Sequence, residues 1–89
     1  LAPTSAGVRI GGRVSDPSGR GIEGLLVTIL NAEGVGVVSR TNSFGFFIFD
    51  EVPAGQTYIL SIASKNGVIA SQVVSPTDDN FSVNFVLNH

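Results

Sequence analysis

Apolar and polar residues alternate in short runs along this 89-residue chain, and no window sustains the 3.6-residue period of a helix. Eleven glycines and four prolines break the pattern every few residues. Between the breaks lie runs rich in Val, Ile, Leu, Phe and Thr, and seven of them predict strands. They cover residues 8–15, 25–31, 37–41, 46–49, 57–65, 68–74 and 81–87. Residues 1–7 read as a linker or disordered N-terminus, leaving 8–89 as a single domain. Turn residues fall between the runs: "DPSGRG", "AEGVG", "NSFG", "DEVPAGQ", "SPTDDN", and the Asn66-Gly67 pair that suits a two-residue hairpin.

Seven short strands with a turn about every ten residues predict an all-β sandwich. Alternation chooses the buried face of each strand. Val14, Val27 and Ile29 point inward in the early strands. Tyr58, Leu60 and Ile62 share a face in the fifth, and Phe81, Val83, Phe85 and Leu87 in the last. The run "FGFFIF" places four of the six phenylalanines within residues 44–49. Phe47 and Phe49 fall on the core face. Phe46 and Ile48 fall on the opposite face, where a free sandwich carries polar residues, and are therefore candidates for partner contact.

The motifs "GRVSDPSGRGIEGLLVTI" and "RTNSFGFFIFDEVPAGQTYILSI" resemble the carboxypeptidase regulatory-like domain family. The family pattern G-x-V-x-D-x-x-G is met by Gly12, Val14, Asp16 and Gly19, and its V-x-V strand by Val27 and Ile29. Thr41, Asn42, Gly45, Phe47 and Phe49 match T-[DN]-x-x-G-x-[FY]-x-[FL]. Val52, Pro53, Gly55, Tyr58 and Leu60 match the closing L-P-x-G-x-Y-x-[LV]. The resemblance spans about residues 10–87. It implies a seven-stranded antiparallel Greek-key β-sandwich, transthyretin-like (prealbumin-like), related to the B-type repeats of bacterial surface proteins. Some of those repeats carry a lysine–asparagine isopeptide bond. The first strand here offers Arg9 and Arg13 but no lysine, and guanidinium is a poor nucleophile, so the cross-link is not carried over. The sole lysine is Lys65.

Composition narrows the function classes. Charged residues are 13% of the chain and the formal net charge is −2. The five cations are scattered, so the basic stripe of a nucleic-acid binder is missing. Cysteine is absent, which excludes disulfides and thiolate metal sites and favours a bacterial origin. No apolar run reaches the roughly 20 residues of a membrane-spanning helix. Asp50-Glu51 and Asp78-Asp79 lie in expected loops as solvated acids. Asp78, Asp79 and Asn80 form a weak candidate cation site, with a spacing that fits no EF-hand. His89 is the only histidine and the last residue, a poor position for a triad; it could be native or part of a tag.

The expected function is therefore not enzymatic and needs no cofactor. The reading is a non-catalytic module of a larger secreted or cell-surface bacterial protein, acting as spacer, stabiliser or adhesion domain. Leu1 in place of an initiator methionine agrees with a module excised from a longer chain. The alternatives are an accessory domain of an enzyme (a carboxypeptidase or glycoside hydrolase) and an N-terminal extension of an outer-membrane receptor. Expected partners are neighbouring domains or another protein, with weak homo-oligomerisation allowed and no membrane insertion.

Overall fold

The computed structural model describes residues 7–64 and 67–87; for Ser64 and Val68 it describes the backbone alone. These residues contain seven strands and no helix: β1 (Gly7–Ser15), β2 (Leu26–Leu30), β3 (Gly36–Arg40), β4 (Phe46–Pro53), β5 (Tyr58–Ser64), β6 (Gly67–Val74) and β7 (Phe85–Val86). They form a sandwich of a three-stranded sheet, β4-β1-β7, and a four-stranded sheet, β3-β2-β5-β6. The expected Asn66-Gly67 turn involves Asn66, which lies outside the described residues, as do Lys65 and His89.

Three elements differ from the expectation. First, the sheet is not wholly antiparallel: β7 runs parallel to β1, pairing Val14 with Phe85 and Ser15 with Val86. The connection after β6 lets the chain enter alongside β1 in the same direction, whereas the short turn between β2 and β3 imposes antiparallel pairing. Second, β4 does not end at Phe49 but continues to Pro53 through a bulge. The register slips between Val8 and Ile10, opposite Val52 and Phe49. Glu51 takes a positive φ of 60° there, which lets the strand bend and resume pairing.

Third, the expected strand over 81–87 shrinks to Phe85–Val86. Asn80 Oδ1 accepts the Ser82 N–H at 2.9 Å and Asn84 Oδ1 accepts the Arg13 N–H at 3.0 Å. Backbone bonds still tie Asn80 and Val83 to Arg9 and Gly11 of β1, but these side-chain bonds interrupt a regular ladder, and the period of two fails before Val83. Val83, Phe85 and Leu87 remain buried, but Phe81 is 54% exposed. Its expected place on the core face is corrected accordingly: it lies outside, against the bare backbone of Gly11.

The core lies between the sheets. Val14, Val27, Ile29, Phe47, Phe49, Tyr58, Leu60, Ile62, Val83 and Phe85 are all buried, joined by Val8, Ile10, Leu25, Val52 and Leu87. The Phe47 ring meets Phe49 edge-on with centroids 6.0 Å apart and Phe85 at 6.3 Å. Gly12 faces inward, where a Cβ would overlap the Val83 carbonyl oxygen. Its missing side chain lets the segment before β7 close over the core.

One loop design recurs three times. Asp16, Asn31 and Asn42 each accept, through Oδ1, the N–H groups two and four residues on. Each also exchanges backbone hydrogen bonds with the residue four along and the glycine three along. That glycine takes positive φ in all three loops, the conformation the reversal requires. The Ser18 hydroxyl, followed by backbone N–H groups, holds the Asp16 carboxyl below its ordinary pKa. The Asn42 loop carries the chain from one sheet to the other. Just before it, buried Thr41 donates its hydroxyl to the Ile22 carbonyl at 2.7 Å and accepts the Leu25 N–H at 2.9 Å. A buried N–H and a partly buried carbonyl outside the strands are satisfied in this way.

Candidate interaction face

Strand β4 sets the site. Its alternation sends Phe47 and Phe49 inward and Phe46 and Ile48 outward, at 51% and 46% exposure. The register places Ile48 beside Gly11 and Phe46 beside Arg13 on β1. Gly11 has no side chain, so Phe81 settles over it from the other side. Phe46, Ile48 and Phe81 together line a groove of about 430 Å³ whose rim includes Arg40 and Asn42.

Arg13 is fixed at the border of this patch. Its Nε donates to the Phe44 carbonyl and an Nη to the Gly19 carbonyl, both at 2.9 Å. The guanidinium lies 5.8 Å from the centroid of the Phe46 ring, within cation–π range. The long side chain thereby ties the first and third Asx loops together and holds the Phe46 ring. Farther along, Arg9 Nε approaches Asp50 at 3.4 Å, but both side chains are more than half exposed. Such a pair contributes little to stability.

Beside this face a second groove of about 350 Å³ opens between the edges of β3 and β4, lined by Val37, Ile48, Asp50, Glu51 and Tyr58. Tyr58 contributes only a buried flank. Its hydroxyl donates to the Pro53 carbonyl at 2.6 Å, and desolvation raises its pKa above the ordinary 10.0. Folding therefore favours the protonated phenol. The stabilisation is fully present below pH 10 and is lost as pH rises through the raised folded value. Chemical denaturation of the wild type should show stability falling above about pH 10. Tyr58→Phe should lose about 1 kcal/mol at neutral pH and flatten that alkaline decline.

The remaining candidates separate. Asp79 Oδ1 accepts the Arg9 N–H at 2.8 Å, and Asn80 Oδ1 is committed to Ser82. The Asp79 side chain thus serves the backbone of β1, and the Asn80 side chain that of its own loop. Among the described residues no three His, Cys, Asp or Glu side chains gather as metal ligands. His89 lies outside those residues. The roles of Phe81 and Arg13 were missed by sequence reasoning. Arg13 shares the outward period of β1 with Arg9 and Gly11, so its place beside Phe46 had a signal. Phe81 had only the preceding asparagine.

Solved structures of two bacterial proteins share the fold. One is a provisionally assigned carbohydrate-binding protein of Pseudomonas aeruginosa, 14% identical, with a TM-score of 0.68 over 98% of this chain and 92% of that one. The other is a DUF3823 family protein of Parabacteroides merdae, also 14% identical, with a TM-score of 0.66. That alignment covers 92% of this chain but only 46% of its counterpart. No curated protein sequence matches the chain. Residues 9–88 match the family model of the carboxypeptidase regulatory-like domain, and with its motif residues placed as described, the chain belongs to that family.

Proposed function

We propose that this domain is a non-catalytic interaction module of a larger secreted or cell-surface bacterial protein, and that it docks a neighbouring domain through the outer face of its three-stranded sheet. The observation that carries the reading is the cluster of Phe46, Ile48 and Phe81 on a face that water would otherwise cover. Contiguous exposed apolar residues with a polar rim are characteristic of interaction sites. Family membership and the two bacterial structural neighbours support a binding or structural role.

Phe46→Thr with Ile48→Thr retains strand propensity and removes the apolar patch. The isolated double variant should unfold within about 1 kcal/mol of the wild type, because neither side chain belongs to the core. In the intact parent protein the same pair should uncouple the melting of this domain from that of its neighbour, read by calorimetry. Unchanged coupling would sink the docking role, and loss of cooperative folding would return the pair to the core.

A second reading, carbohydrate contact, is favoured by the Pseudomonas neighbour together with the exposed rings of Phe46 and Phe81. Tryptophan is absent and Tyr58 is buried, which limits the stacking surface to those rings. Titration with oligosaccharides should then shift the Phe46 and Phe81 ring resonances and leave Phe47 unmoved.

A further inference from the structure

Each sheet of the sandwich has two edges, and edges left unpaired recruit other strands unless something blunts them. Among the described residues, three of the four are blunted. β4 is bent by the bulge at Glu51, carries Asp50 and Glu51, and ends in Pro53. β7 is two residues long. β3 is five residues long, ends in Arg40, and lies along the groove facing β4.

β6 is different. It is eight residues long, "GVIASQVV", with no charge and no proline. Among the described residues its strand partner is β5 alone, so its other edge carries no strand there. The one irregularity falls at its start, opposite Ile62 and Ala63; from Ala70 to Val74 the register is unbroken. Gln72 is anchored inward, its Nε2 donating to the Asn84 carbonyl at 2.6 Å, which ties this stretch to the other sheet. The outward edge is thus long, regular, uncharged and rigidly backed.

We propose that β6 pairs with β6 of a second copy of this chain. A two-fold axis beside the strand pairs it with itself antiparallel and joins two four-stranded sheets into one of eight strands. Three features select a second copy as the occupant. An uncharged strand meets its own copy with no like-charge clash. Val73, 67% exposed, continues the apolar row formed with Ile59 and Leu30 across the outer face, and pairing extends that row. Self-pairing also consumes the open edge of both copies, so the assembly closes, whereas β6 joining the blunted β3 edge would propagate. A single edge contact buries less than a standard interface, so the dimer is weak, with a dissociation constant in the upper micromolar range.

The test is sedimentation velocity from low micromolar to millimolar protein, combined with residue-resolved amide exchange. The wild type should shift from monomer to dimer, and amides between Ala70 and Val74 should gain protection in step. Ser71→Lys places facing ammonium groups near the axis and should weaken association by about tenfold or more. Circular dichroism checks that this variant remains folded. Should it unfold, the wild-type exchange pattern decides alone. Phe46→Thr with Ile48→Thr alters the other sheet and should leave the association unchanged, which separates this proposal from the docking face. A wild type that stays monomeric at millimolar concentration overturns the proposal. So does a dimer whose protection falls on β3 or β4, or one that the Phe46/Ile48 change abolishes.

Discussion

Gly45→Ala is expected to remove a large share of the folding free energy of this domain. Gly45 takes φ +85° in the Asn42 loop, where an alanine is strained by about 1–2 kcal/mol. An added Cβ would also overlap the Val14 carbonyl oxygen and come within 2.9 Å of Gly21 Cα and Ile22 N. These are backbone atoms of β1 and the following loop, and they cannot swing aside. Forced overpacking adds about 1–3 kcal/mol, for a total of about 2–5 kcal/mol. A domain of this length holds roughly 5–13 kcal/mol. Gly55 supplies the control: it has φ +84° but open space around its Cβ position. Gly55→Ala should therefore show only the backbone component, about 1–2 kcal/mol. Urea denaturation of the two variants separates strain from overlap, and equal losses would show that the close approach at Gly45 is unimportant.

Phe49→Ala should cost about 3–5 kcal/mol, the range for truncating a buried aromatic ring. Phe49 is 4% exposed and packs edge-on against Phe47, which in turn contacts Phe85. The cavity would open between the two sheets, beside Ile10, its partner across the β1–β4 ladder. The same substitution at Phe46 removes a ring that is half exposed and should cost far less. A midpoint that barely moves for Phe49→Ala would mean that the two faces of β4 are exchanged, the outcome of a one-residue register slip.

The contrast between these phenylalanines was legible in the sequence because a strand has a period of two and β4 is regular from Phe46 to Phe49. The loops were legible as well: Asp16, Asn31 and Asn42 each precede a glycine by three residues, a spacing with a local cause. What stayed hidden depends on long-range geometry. The bulge at Glu51 follows from how β4 must realign with Val8, a partner far off in sequence. The parallel direction of β7 follows from the route of the preceding connection. Phe81 escaped its expected face because Asn80 and Asn84 satisfy backbone groups with their side chains, so alternation no longer applied. The interaction face was half legible for the same reason. Phe46 and Ile48 stood out by period, while Gly11 and Arg13 join them only through the β1–β4 register.

Docking through the outer face of the three-stranded sheet requires that another domain cover Phe46, Ile48 and Phe81 in the working protein. Hydroxyl-radical footprinting of these residues, in the isolated domain and in the intact parent protein, tests it most directly. All three should oxidise severalfold more slowly in the parent, with exposed Val86 and Val35 unchanged as references. Equal oxidation rates at Phe46 and Ile48 in the two samples would contradict it.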